Sequence, residues 1–199
     1  MLTLLLLATR APAPIRRHRP LAMVAASGTG SFELDLFSPG KVSLFTRVLR
    51  KRDDGCHDVA SLCHAVGYGD RLRLARIPGD RAAAAGVVRP SRTSEPIKQH
   101  VELSVSEATA DVPIDQSNLV VRAIALLRSK LAERDGGSLD VPRLRAHLVK
   151  RLPAGSGLGG ASSNAATALW GANELIGRRA SQAELVEWSR ELGADVACW

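Results

Sequence analysis

Leu152-Pro153-Ala154-Gly155-Ser156-Gly157-Leu158-Gly159-Gly160-Ala161-Ser162-Ser163-Asn164-Ala165-Ala166 is the stretch on which the reading of this chain turns. Four glycines fall within residues 155–160, which lets the backbone bend through left-handed conformations and approach a ligand closely. Just before it, residues 143–148 alternate Arg or His with Leu or Ala, the period of a half-buried strand. Just after it, an Ala-rich run to about Ile176 reads as a helix. A strand that enters a glycine loop opening into a helix offers unpaired N–H groups and a positive helix end to an anion, which is the chemistry of a phosphate cradle. Ser162 and Ser163 add hydroxyls for a phosphate or a phosphate-bound Mg²⁺. The plain alternative is a glycine-rich loop that holds nothing. No lysine follows the glycines, which excludes a Walker A loop. Gly155, Gly157 and Gly160 meet the dinucleotide pattern only nominally, because that fold needs a continuously apolar strand before the loop and another strand after the helix.

Working outward, Ser181-Gln182-Ala183-Glu184 is a capping box that starts a last helix with Leu185, Trp188 and Leu192 on its buried face. Upstream, Val120, Ile124, Leu127 and Leu131 line one face of a helix that begins near Ser117 and ends at Asp135-Gly136-Gly137. Residues 32–36 alternate as a strand, and a second apolar run at 42–49 follows Ser38-Pro39-Gly40. Lys51-Arg52-Asp53-Asp54-Gly55 has the chemistry of a tight reversal, with residues 59–66 returning. Residues 71–74 and 100–105 read as further strands, and the polar, Pro-containing stretch 78–96 between them as a surface loop. Mainly strands come first and helices later, so the expected class is α+β. No internal repeat or heptad is visible.

Composition narrows the function classes. The 199 residues are 45% hydrophobic and 24% charged, ordinary for a globular chain and wrong for a fibrous or disordered one. Of 27 basic residues, Arg10, Arg16, Arg17 and Arg19 fall within residues 1–30 and none of the 20 acidic ones does, so the net charge of +7 drops to +3 for the remainder. That argues against a nucleic-acid binder, as does an aromatic content of 4%, poor material for base stacking, although residues 143–151 form a basic strand. Residues 1–30 read as a targeting segment, Arg-bearing, free of acids and ending in small residues, with plastid import favoured over mitochondrial import or secretion. The apolar run at 2–8 is too short to span a bilayer, and a tail without an address is the competing reading. Residues 31–199 are then one domain. Cys56, Cys63 and Cys198 make an odd count without C-x-x-C spacing, so no disulfide framework is expected. The Cys56-His57 and Cys63-His64 pairs are offset by seven positions, which puts matching residues on opposite faces of a strand and argues against zinc.

The glycine stretch closely resembles the ATP-binding motif of the GHMP kinases, the superfamily that includes galactokinase, homoserine kinase and mevalonate kinase. Phe37-Ser38-Pro39-Gly40-Lys41-Val42, Lys51-Arg52-Asp53-Asp54-Gly55-Cys56-His57, Gly69-Asp70 and Gly193-Ala194-Asp195-Val196 extend the likeness from about Leu36 to the end of the chain, interrupted at 78–115. Together they look like the branch that phosphorylates 4-diphosphocytidyl-2-C-methyl-D-erythritol in the non-mevalonate route to isoprenoids. The resemblance implies the superfamily's N-terminal domain, a ribosomal protein S5 domain 2-like fold, with ATP and Mg²⁺ as cofactors and a small-molecule alcohol as the partner, without nucleic acid or membrane. It implies Lys41 and Asp195 as the catalytic pair. A carboxylate can accept the hydroxyl proton while an ammonium favours the developing alkoxide. It assigns Pro153, Ala154, Gly155, Ser156, Gly157, Leu158, Gly159, Gly160, Ala161, Ser162 and Ser163 to ATP, together with Asn118, and His57 to the cytosine base. In isolation Lys41 would be a solvated charge and Asp195 a turn residue, and Asn118 in Ser117-Asn118-Leu119 is equally a helix cap.

The pattern also departs from the family. Cys56 stands where a tyrosine usually stacks on the cytidine, Ser43 where asparagine is usual, Cys63 where an aromatic is common, and Ala197-Cys198-Trp199 in place of Pro-Phe-Phe. A thiol has no π-face to offer a base. Family kinases continue for roughly a hundred residues into a second lobe. The chain is therefore expected to be an N-terminal portion, with another GHMP-type kinase and an inactive nucleotide-binding remnant as the rival readings.

Overall fold

β1 (Leu34–Lys51) and β2 (His57–Arg76) form a long antiparallel hairpin, followed by β3 (Val101–Ser106), α1 (Leu119–Arg134), β4 (Leu144–Val149), α2 (Gly160–Leu175), α3 (Gln182–Ser189) and a closing 3₁₀ turn at Val196–Cys198. The computed structural model describes residues 31–77 except 52, 54 and 56, together with 101–108, 112–136 and 141–199. The targeting segment, the loop expected at 78–96 and Cys56 lie outside the described residues. The sheet order is β1-β2-β4-β3. β2 runs antiparallel to β4, and β3 runs parallel to it, as a strand pair joined through a helix must.

The helices cover one face of this mixed sheet. Leu72 and Leu74 of β2 and Leu144, Ala146 and Leu148 of β4 alternate into the core, where they meet the α1 stripe of Val120, Ile124, Leu127 and Leu131. α2 contributes Ala165, Ala168 and Ala172, whose small side chains bring it close to the hairpin. A Cβ on Gly171 would come within 2.7 Å of the Leu36 and Leu74 methyls, which would have to move to admit it. The opposite face is wet and charge-paired: Asp35 bridges Arg71 and Arg73, and Arg143 reaches Glu102, while at the end of β2 Glu33 binds Arg76.

The helices begin and end close to where the sequence puts them, but the strands do not. The runs at 32–36 and 42–49 are one strand that passes through Pro39 and Gly40, with a register shift between Pro39 and Lys41. Proline's missing N–H is tolerated there because β1 is the edge of the sheet. The expected return at 59–66 and the strand at 71–74 are likewise one element, β2. Beyond Lys41 the hairpin leaves the helices behind and projects as a two-stranded ribbon with exposed apolar side chains, Phe45 at 53% and Leu62 at 60%.

Candidate active site

The glycine loop starts where β4 ends and is pinned at its middle by a hydrogen bond from Lys41 N–H to the Leu158 carbonyl, 2.8 Å long. Gly155, Gly157 and Gly159 have φ of +70°, +76° and +69°, conformations that side chains resist. Gly159 is the N-cap of α2 and carries no side-chain cap, so the first-turn N–H groups of that helix are left for a ligand. The loop curls over a cleft of about 370 Å³ whose lining includes Asn118, Lys150, Pro153 to Gly157, Gly159 to Ser162, Asn164 and Asp195.

At this cleft the fold brings Lys41 and Asp195 together from opposite ends of the described chain. Lys41 Nζ lies 3.9 Å from Asp195 Oδ2, the lysine largely covered and the aspartate open to solvent. The lysine stem packs on Gly159, where a Cβ would stand 2.9 Å from Lys41 Cγ. Asp195 sits just ahead of the turn Val196–Cys198, and Val196 anchors that turn in the core. Lys41 Nζ also reaches Ser43 Oγ at 3.3 Å and lies 3.9 Å from Cys63 Sγ.

The other expected site residues fare differently. Asn118 lines the cleft but its side chain is engaged as the α1 cap, Oδ1 accepting from Val120 N–H at 2.8 Å and Nδ2 donating to the Pro113 carbonyl. Ser163 stands apart from the rest of the loop: it is buried, its N–H is taken by the Gly159 carbonyl, and its hydroxyl meets Ser38 Oγ at 2.9 Å. Of this adjacent pair, Ser162 lines the cleft and Ser163 does not. His57 is exposed at the far end of the ribbon, opposite Lys51. It lies eight β2 positions beyond Ala65, the partner of Lys41, about 26 Å along the strand at roughly 3.3 Å per residue. It nonetheless shares Lys41's side of the ribbon, as do the pairs Ser43↔Cys63 and Thr46↔Ser61 between them.

Sequence reasoning missed a buried polar cluster beneath the loop. Asp70 is fully buried and accepts hydrogen bonds from Lys150 Nζ at 2.7 Å, Arg151 N–H at 2.7 Å, Leu152 N–H at 2.8 Å and Asn164 Nδ2 at 2.9 Å. Asn164 Oδ1 in turn accepts from Ser38 Oγ at 2.7 Å. Gly69 lets β2 pass within reach of this cluster, since a Cβ there would fall 2.3 Å from the Ser38 carbonyl. The Gly69-Asp70 motif was a visible signal; its role could not be read without knowing that it faces the loop. Among the described residues no group of three or more His, Cys, Asp or Glu is placed to hold a metal. Away from the cleft, hydrogen bonds from Ser181 hold the Glu184 carboxyl below its ordinary range, and the Arg134 guanidinium does the same for Asp135.

Comparison with known proteins supplies names for this geometry. Residues 118–198 match the family described as the GHMP kinases N terminal domain. The chain is 40% identical over 180 residues to the chloroplastic 4-diphosphocytidyl-2-C-methyl-D-erythritol kinase of Oryza sativa subsp. japonica, covering 90% of this chain and 38% of the rice protein. It is 40% identical over 165 residues to the kinase of the same name from Protochlamydia amoebophila, covering 83% of this chain and 47% of that one. A crystal structure of 4-(cytidine 5'-diphospho)-2C-methyl-D-erythritol kinase superposes with a TM-score of 0.55 at 27% identity, over 83% of this chain and 48% of the other. A homoserine kinase from Cytophaga hutchinsonii, at 17% identity and a TM-score of 0.50, shares the fold. The chain thus spans half or less of the length of these relatives.

Proposed function

We propose that this chain, whose residues 118–198 match the GHMP kinases N terminal domain, is the nucleotide-binding part of a kinase that moves the γ-phosphoryl group of ATP onto the 2-hydroxyl of 4-diphosphocytidyl-2-C-methyl-D-erythritol. The observation that carries the reading is the Lys41–Asp195 pair, 3.9 Å apart at the cleft formed by the glycine loop. Asp195 accepts the proton of the attacking hydroxyl, and the Lys41 ammonium favours the alkoxide that develops. The loop N–H groups and the uncapped start of α2 take the ATP phosphates, so most of the rate comes from positioning and charge neutralisation. Mg²⁺, when bound, would neutralise phosphate oxygens; the Ser162 hydroxyl at the cleft lining is an oxygen donor that would suit it, with the phosphates supplying the rest.

Within this reading Pro153 to Ser162 line or carry the phosphate site, Ser163 braces it from behind and Asn118 shapes its wall. His57 marks the far end of the side of the ribbon that carries Lys41, along which Ser43, Cys63, Thr46 and Ser61 and then the Val48–Val59 pair intervene, and an elongated cytidyl substrate would lie on that side. The plant relatives' chloroplastic names support a plastid address, with the stroma as the compartment and residues 1–30 as the import segment. No helix among the described residues is long and apolar enough to cross a membrane. Ser43 and Cys63 beside Lys41 favour one second reading, a GHMP-type kinase with a different acceptor alcohol.

The test is phosphoryl transfer from γ-labelled ATP in the intact protein, parent against Asp195→Asn. Turnover is expected to fall by about 10²–10⁴ with ATP affinity retained, because only proton acceptance and local charge change. Equal turnover sinks the assignment of Asp195, and a preference for homoserine or mevalonate over the cytidyl alcohol selects the second reading.

A further inference from the structure

The cluster under the loop does more than satisfy buried polar groups. One carboxylate holds both ends of the glycine loop: Asp70 Oδ1 takes the N–H groups of Arg151 and Leu152 at its start, and Oδ2 takes the Asn164 amide in the first turn of α2. Everything between those two grips, residues 153–163, is glycine-rich chain that would otherwise sample many conformations. Lys150 completes the grip, its ammonium bound to Asp70 and to the Leu152 carbonyl and lying 3.2 Å from where a Gly160 Cβ would be. Because the lysine and the aspartate neutralise each other, what the cluster supplies is geometry rather than net charge. Ser38 extends it to β1, three residues before Lys41, through its bond to Asn164.

We infer that Asp70 is a positioning residue for phosphate binding, which acts through the backbone of residues 151–152 and through Asn164 to fix the loop over the cleft. The inference rests on the nucleotide reading above. It makes a specific demand: loosening Asp70's grip weakens binding of ATP, whose phosphates the loop would hold, far more than binding of adenosine, which carries none. A cluster that merely fills the core would change both together or neither.

The intact protein is titrated with ATP by calorimetry and with adenosine by ligand-observed NMR, with circular dichroism confirming that each variant is folded at the assay temperature. Asp70→Asn keeps one oxygen for the two backbone N–H groups but turns an amide donor on the Lys150 ammonium and the Asn164 amide. Its Kd for ATP is expected to rise about tenfold or more while its Kd for adenosine stays within about twofold. Asn164→Ala, which leaves the Asp70–Lys150 pair intact, is expected to shift ATP in the same direction by about fivefold and serves if Asp70→Asn misfolds. Equal weakening of ATP and adenosine, or unchanged ATP affinity in the folded variants, overturns the inference while leaving the nucleotide reading intact. A parent chain that binds no ATP overturns both.

Discussion

The two halves of the β1–β2 hairpin are built from similar residues and meet opposite fates. At the base, Leu34, Leu36, Leu72 and Leu74 lie under α2 in the core; beyond the register shift at Lys41, Phe45, Val48, Val59 and Leu62 stay exposed on the ribbon. Apolar alternation made strands in both. Burial was decided by whether a helix lay above. The pair proposed for catalysis sits at the joint, where the ordered base hands over to the open ribbon, so Lys41 is held by the loop on one side and faces open space on the other.

That contrast can be broken by substitution. Leu72→Ala at the base is expected to cost about 2–5 kcal/mol in chemical unfolding, since it opens a cavity where β2, β4 and α2 meet. Phe45→Ser on the ribbon is expected to change stability by no more than about 0.5 kcal/mol, because more than half of that residue is open to solvent and no helix covers it. Comparable costs at the two positions would mean that the ribbon is covered in solution. The smallest effect concerns the rim of the base, where Arg134 joins Asp135 and Glu184 and links α1 to α3. Both carboxyls are held below their ordinary values, Asp135 chiefly by its bond from Arg134 and Glu184 chiefly by its bonds from Ser181. Their contribution is therefore complete above about pH 4–5 and is lost as pH falls through the lowered folded values. The Tm difference between the parent and Glu184→Gln should accordingly shrink between about pH 6 and pH 3. A difference that grows toward low pH would reverse the sign of this link.

The helices were legible in the sequence because their signals are local. The capping box at Ser181 and Glu184 and the α1 stripe from Val120 to Leu131 are satisfied within one element and its immediate packing. The strands were less so. Ser38-Pro39-Gly40 reads as a break in any local window, and only the edge position of β1 lets the strand run through it. In the site, the glycine loop announced itself by composition, and the resemblance pointed to Lys41 and Asp195, whose proximity depends on the whole fold. Gly69-Asp70 and Asn164 stood inside recognisable motifs, but their joint role with Lys150 was not legible, because it exists only where β2, the end of β4 and the start of α2 converge. Ser163 shows the converse: a hydroxyl in the right motif that the helix turns away from the cleft.

The account's central claim is that the loop and the uncapped start of α2 form a nucleotide phosphate site next to Lys41. Calorimetric titration of ATP into the parent chain and into Gly159→Val tests it most directly. Valine cannot hold the φ of +69° without strain, and its Cβ would meet Lys41 Cγ at 2.9 Å. The account predicts one saturable ATP site in the parent and at least about a tenfold weaker one in the folded variant. Absence of ATP binding by the parent, or equal affinity in the two, would contradict it.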